Sequence, residues 1–424
     1  MIKKSKRKHV IHCSLSEIYT AVALSPGICV LLHVPRSCSH LVYNAWLNSQ
    51  KSFHFKYQQS FNVLEDNLFV SCLGEKEAIF GGERLLEASI KKIMEQKQPE
   101  CLLVVSGCTA SIIGDDVEGV CTKLAKVYNK PIIHIPGSGF MSNQSQEGML
   151  LVTRALYENI GERSMPSSSD TVTILGVNKY HVLPEELEDI KRIYRHFGIT
   201  KILFPPCGMS IEDFRRIDSS CLIGTNALVP GKLKEYNLLV QEIGSKLGVP
   251  HLEKRLPLTL AELQEYLTSL GKILQQEELA EKAWQNEKEL LQRSIQQAKT
   301  VLQGKSFIFA IGRPMKFASF DDIIWLMRAS GMELQQFVFL EDLTAAEEQE
   351  YRNLLENRYA AVPWVKVDSV SNYNEADVVI TDLYRKEFHR QYCIKRKRVG
   401  IGGLERFLKQ LTSLFLENRG LIDE

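Results

Sequence analysis

Short apolar, β-rich runs alternate along this chain with segments that carry apolar residues at helical spacing. Residues 101–105 form one such run, and a helical pattern follows between residues 117 and 127. The order repeats at residues 171–175, where the next helical pattern begins after Pro184 and stops at Gly198. Strands that alternate with helices assemble into parallel sheets whose connections are those helices. The pattern therefore predicts an α/β fold with doubly wound parallel sheets.

The chain length of 424 residues is more than one compact core normally holds, so we expect several domains. A polar, Ser/Pro-rich stretch at residues 161–170 indicates a boundary. Two long helices are predicted between residues 259 and 302, and a strand that closes in a glycine turn at Gly312 follows them. We predict three α/β domains: residues 1–165, residues 166–302 with the long connecting helices, and residues 303–424.

Charge and cysteine usage exclude several classes of protein. The formal net charge is +1, so nucleic acid is not expected as a partner. The ten cysteines include no C-x-x-C pair and are too sparse for a secreted disulfide scaffold. Residues 18–34 are largely apolar and follow a basic run at residues 3–8, but Pro26-Gly27 interrupts them. We expect a helix, turn and strand there, no membrane partner, and a cytoplasmic protein with free thiols.

Four polar segments fall where strands are predicted to end, which is where doubly wound sheets bind ligands. They are His12-Cys13, the segment from His33 through Cys38 to His40, the segment from Ser71 to Arg84, and the segment from Ser106 through Cys108 to Asp116. Thiolates are soft ligands suited to iron–sulfur clusters or zinc. The candidate ligands are Cys13, Cys38 and Cys108, and the alternative for each is a core position, since cysteine packs like a small hydrophobic residue.

The order and spacing of these segments resemble the nitrogenase component 1 superfamily. Cys13 is followed by His33-Val-Pro-Arg-Ser-Cys38, which is similar to the H-G-P-x-x-C segment of that family. Residues 75–83, Glu-Lys-Glu-Ala-Ile-Phe-Gly-Gly-Glu, resemble its E-K-D-x-x-F-G-G-E segment. Residues 108–116 match its C-x-x-x-x-I-G-D-D segment, and residues 135–140 look like its P-G-F turn. These motifs cover roughly the first third of the chain, and a weaker similarity extends to its end.

The resemblance implies three doubly wound Rossmann-like domains, the first of which binds a cluster. It implies that Cys13, Cys38 and Cys108 hold a [4Fe-4S] or larger iron–sulfur cluster at a subunit interface. The implied partners are a homologous or identical component 1 subunit, in a dimer or an α₂β₂ assembly, and an ATP-hydrolysing iron-protein reductase. The sequence has no G-x-x-x-x-G-K-[ST] phosphate loop, so we expect this chain to bind no nucleotide.

Several positions depart from the family pattern or leave alternatives open. Val34 replaces the glycine of H-G-P, and the segment before Gly248 holds Lys232, Lys234 and Tyr236 where the catalytic subunit has its cofactor cysteine. Cys72 is a possible fourth metal ligand, a labile thiol or a core residue. Cys207 is a candidate for an interdomain cleft. His33 and His40 either donate to cluster sulfurs or satisfy loop carbonyls, and His134 is expected to be buried and hydrogen-bonded.

Three functions agree with these observations. The first is the cluster-bearing subunit of a nitrogenase-like reductase complex, an oxidoreductase that passes electrons from the iron-protein reductase to a small-molecule or tetrapyrrole substrate. The second is a non-catalytic scaffold on which a nitrogenase-type metallocluster is assembled. The third is a metal-free α/β binding or regulatory paralogue. The sequence identifies no catalytic residue.

Overall fold

The computed structural model describes residues 13–57, 67–137, 148–160, 168–177, 182, 184–225, 233–312, 320–340, 343–366, 376–381, 384–386, 388–394, 399–417 and 420–423. The basic run at residues 3–8, His12, most of the predicted linker, Lys232 and residues 138–140 of the P-G-F-like turn lie outside them. The chain forms two compact units, Met1–Leu183 with Gly198–Arg255, and Pro184–Phe197 with Leu256–Glu424. Within the described part of the chain, no helix has the length and hydropathy needed to cross a membrane.

The N-terminal sheet has the strand order β2-β1-β3-β4, and every pairing in it is parallel. Its elements are α1 (Ser14–Val22), β1 (Ile28–His33), α2 (Arg36–Tyr57), β2 (Leu68–Val70), α3 (Glu75–Phe80), α4 (Glu83–Gln96), β3 (Cys101–Ser106), α5 (Cys108–Ile113), α6 (Val117–Tyr128), β4 (Ile132–Pro136) and α7 (Gly148–Ile160). Strands β1 and β3 are buried along their whole length, because α1, α2 and α7 cover one face while α4 and α6 cover the other. The helix, turn and strand expected at residues 18–34 are α1 and β1.

The middle sheet has the order β6-β5-β7-β8 and is also parallel. Its region contains β5 (Thr171–Leu175), α8 (Pro184–Arg195), β6 (Lys201–Leu203), α9 (Ile211–Arg215), β7 (Leu222–Thr225), α10 (Leu233–Leu247) and β8 (His251–Leu252). Gly198, shortly after α8, has φ +74°, a left-handed conformation that glycine adopts without strain. The predicted helix stop is therefore confirmed.

The C-terminal sheet has the order β11-β10-β9-β12-β13-β14, again with parallel pairings. Its elements are α11 (Leu260–Leu274), α12 (Glu277–Leu302), β9 (Ser306–Ile311), α13 (Phe320–Ala329), β10 (Glu333–Phe339), α14 (Ala345–Arg358), β11 (Trp364–Lys366), β12 (Val378–Thr381), β13 (Gln391–Cys393), α15 (Gly400–Leu416) and β14 (Leu421–Asp423). The two predicted long helices are α11 and α12.

The predicted α/β class with parallel sheets is confirmed. Each of the three sheets falls inside one predicted domain range, whereas the compact units number two, so the three-domain boundaries stay a prediction. Helix α8 belongs to the second unit. Ion pairs explain this, because Arg192 on α8 contacts Glu287 on α12 at 3.0 Å and Glu405 on α15 at 3.1 Å.

Candidate functional site

The three predicted cysteine ligands each lie at the start of a helix in the N-terminal unit. Cys13 is the residue before α1, Cys38 lies in the first turn of α2, and Cys108 is the first residue of α5. Helices α2 and α5 follow β1 and β3, which are neighbours in the sheet. Backbone N–H groups at helix starts favour thiolates. The fold thus places each of the three thiols at the start of a helix.

The three loops that carry these cysteines approach one another closely. A Cβ atom added to Gly107 would lie 2.5 Å from Cγ1 of Val34 and 3.7 Å from Cδ1 of Leu15. Gly107 precedes Cys108, Val34 precedes the helix of Cys38, and Leu15 follows Cys13. Only glycine leaves room for this contact. Val34, which replaces the family's glycine, therefore packs directly against the loop of the third cysteine.

The three thiols are half-buried and interact electrostatically. Burial raises the pKa of the Cys13 thiol, a hydrogen bond with the Leu15 backbone opposes this, and the thiols of Cys108 and Cys38 raise it further. Burial likewise raises the pKa of Cys38, Ser37 lowers it, and Cys108 raises it. Thiolates that repel one another are stabilised together by a shared cationic centre. The donor set therefore suits a metal centre that binds all three.

The three thiols are compatible with a multi-iron cluster, whose irons thiolates bind. Among the described residues, no three or more His, Cys, Asp or Glu side chains are arranged to hold one metal ion. Cluster thiolates bind different irons and need not converge on one point, whereas zinc ligands must. The Ser14 hydroxyl, next to Cys13, is buried and has no hydrogen-bond partner in the described part of the chain. A buried hydroxyl without a partner is expected to donate a hydrogen bond to a bound acceptor, and the sulfide of a cluster is such an acceptor.

A side-chain clasp joins the second, third and fourth polar segments. It consists of His33, Ser71, Gly82 and Asp115. His33 Nε2 lies 2.9 Å from Oδ2 of Asp115, and its Nδ1 lies 2.9 Å from Oγ of Ser71. The Gly82 N–H donates to Oδ1 of Asp115 at 2.7 Å. A Cβ at Gly82 would lie 2.5 Å from Oδ2 of Asp115, so glycine is required there.

The clasp changes the interpretation of His33. Both of its ring nitrogens bond other side chains, so it neither donates to a cluster sulfur nor satisfies a loop carbonyl. A carboxylate only accepts, so Nε2 carries the proton and Nδ1 accepts from Ser71. Burial lowers the His33 pKa although Asp115 opposes this, which keeps the ring neutral. Sequence reasoning missed the Asp115 contact, whose only signal was the I-G-D-D segment. His40 is exposed.

The remaining sequence candidates have different surroundings. Cys72 is exposed at φ +64°, and its thiol is directed to the Val70 carbonyl at 3.9 Å. Its role as a fourth ligand stays a prediction. Cys207 is fully buried beside Tyr236, so the expectation that it faces a cleft is wrong. His134 is half-buried and hydrogen-bonded, close to what was expected.

Known proteins resemble this chain over most of its length. Residues 20–415 match the family described as Nitrogenase component 1 type Oxidoreductase. The chain is 26% identical over 270 residues to the nitrogenase iron-molybdenum cofactor biosynthesis protein NifE of Clostridium pasteurianum, covering 63% of this chain and 56% of that protein. It is 21% identical over 295 residues to the nitrogenase molybdenum-iron protein alpha chain of Methanothermococcus thermolithotrophicus, covering 67% and 58%.

A second NifE, from Bradyrhizobium diazoefficiens, is 27% identical over 234 residues, which are 55% of this chain and 40% of that protein. The chain thus spans about half the length of the curated relatives it matches. Among solved structures, nitrogenase Cp1 at pH 5 superposes with a TM-score of 0.58 at 14% identity, covering 95% of this chain and 88% of that one. At this identity the likeness shows a shared fold.

Proposed function

This chain belongs to the nitrogenase component 1 type oxidoreductases, and on that premise we propose that it is a cluster-carrying scaffold on which a nitrogenase-type metallocluster is assembled. The observation that carries the proposal is the convergence of the loops of Cys13, Cys38 and Cys108 around interacting thiols. Two relatives are named as cofactor biosynthesis proteins, which supports assembly over catalysis. The sequence also lacks the cysteine that binds the cofactor in the catalytic subunit.

Cys13, Cys38 and Cys108 would hold a [4Fe-4S] or larger cluster, which supplies one-electron redox chemistry when bound. Gly107 keeps the three loops in contact, and the clasp through Asp115 holds the loop that follows Cys108. The Ser14 hydroxyl would donate to the bound group. Three thiols leave ligation incomplete for a cluster of four irons, so a partner subunit supplies the remainder.

The partners in this proposal are a homologous or identical component 1 subunit, in a dimer or α₂β₂ assembly, and an ATP-hydrolysing iron-protein reductase. Assemblies of related subunits follow closed symmetry, which makes these two forms the default. The reductase binds the nucleotide, because this chain lacks a phosphate loop. We place the protein in the cytoplasm, where free thiols persist.

A second candidate function is the electron-transfer subunit of a nitrogenase-like reductase. The similarity to a molybdenum-iron protein alpha chain over 67% of this chain favours it. In this role the reductase would deliver single electrons that pass to a small-molecule or tetrapyrrole substrate. The two candidate functions use the same cysteine site. The scaffold would release an assembled cluster from this site, whereas the electron-transfer subunit would release electrons.

Metal analysis of anaerobically purified protein, co-expressed with its partner subunit, tests the site. We expect iron, sulfide and an electron paramagnetic resonance signal in the wild type, and loss of most iron in Cys13→Ala, Cys38→Ala and Cys108→Ala. Cys221→Ala is the matched control, because Cys221 is also half-buried but precedes β7 in the middle sheet. Cys72→Ala tests the fourth ligand. An iron-free wild type, or equal iron in all variants, would overturn the assignment.

A second experiment separates the two functions. The loaded protein is mixed either with a cluster-free acceptor from the same family or with reductase, ATP and candidate substrates. Cluster transfer without turnover supports the scaffold. Turnover without transfer supports the reductase subunit and overturns the scaffold.

A further inference from the structure

We draw no further inference here: the strongest candidate, the side-chain cluster of Arg192, His196, Glu287 and Glu405 where α8 packs on α12 and α15, carries nothing beyond that packing, because its side chains pair with one another and nothing in the described part of the chain points to a ligand for it.

Discussion

Asp115 is the residue on which the geometry of the candidate site most depends. Its side chain is 2% exposed, and its two oxygens bond different segments, one at His33 and one at Gly82. The contact with His33 joins residues that are 82 positions apart in the sequence, and the contact with Gly82 joins residues that are 33 positions apart. A buried carboxylate with this many partners is held in one position, so the loops it joins are held as well.

Removing this carboxylate should destabilise the N-terminal unit. We expect Asp115→Ala to lower the free energy of unfolding by about 1–3 kcal/mol for each of the two buried donors that lose their acceptor. It should also reduce the bound iron. Asp116→Asn is the control, since Asn caps a helix as well as Asp does and the cost should stay within about 0.5 kcal/mol. Urea denaturation of both variants measures this; equal midpoints would contradict it.

His33 makes stability depend on pH. Burial lowers its folded-state pKa below the unfolded value of about 6.5, so the unfolded chain binds more protons between these two pKa values. Stability is then complete above about pH 6.5 and decreases as pH falls toward the folded pKa. Urea midpoints measured from pH 5 to 7.5 should decrease on acidification, and less steeply in His33→Gln. His134 contributes in the same direction, so part of the slope remains.

At the scale of elements, the contact between the cysteine loops depends on Gly107, because glycine has no side chain. In Gly107→Ala the new Cβ would lie 2.5 Å from Val34 Cγ1, and such overpacking costs about 1–3 kcal/mol. We expect lower stability and lower iron content in this variant. Val34→Ala in the same chain should restore both, because it removes the clashing methyl groups. A double variant no better than Gly107→Ala would refute the close approach.

The packing of α8 on α12 and α15 depends on one buried carboxylate. Glu287 is 2% exposed and bonds Arg192 at 3.0 Å and His196 at 2.9 Å. Glu287→Ala should cost about 1–3 kcal/mol, since it removes a buried carboxylate that accepts hydrogen bonds from two side chains of α8 and the residue after it. Glu289→Ala, at an exposed position two residues along α12, should cost no more than about 0.5 kcal/mol. Thermal unfolding of the two variants gives the comparison.

At the scale of the whole molecule, an exposed apolar face adjoins the cysteine site. Ile79 and Phe80 on α3 and Ile112 on α5 are 74%, 80% and 73% exposed, and the two helices pack together. Ile112 shares α5 with Cys108. Exposed apolar faces mark sites where proteins bind, and under the proposed function we expect this one to bind the reductase, whose redox centre must come close to the cluster.

Phe80→Ser and Ile112→Ser should therefore weaken reductase binding at least about tenfold, the usual effect of truncating a central apolar contact. Iron content and the complex with the partner subunit should stay unchanged. Val127→Ser is the control, because Val127 is 67% exposed on α6. Loss of the partner subunit, with reductase binding intact, would reassign the face to the subunit interface.

The strands and helices that were predicted correctly are those whose sequence pattern lies within a short stretch of the chain. The strand Thr171–Leu175, the helix stop at Gly198 and the pair α11 and α12 follow from periodicity and glycine positions over a few residues. The three cysteines are candidates through the resemblance that their segments carry, and their role as ligands stays a prediction. The burial of Cys207 and the membership of α8 in the second unit were not predictable, because both depend on packing against distant residues.

The amino-acid sequence by itself therefore determined the class of fold and several strands and helices, and it indicated the three candidate ligands. Tertiary structure alone decided which side chains meet: His33 with Asp115, 82 residues apart, and Ser106 with His134, 28 residues apart. These contacts depend on the strand order β2-β1-β3-β4, which places distant segments at one edge of the sheet. Hydrophobic periodicity specifies an element and its buried face, but a contact between elements depends on the free energy of packing the whole core.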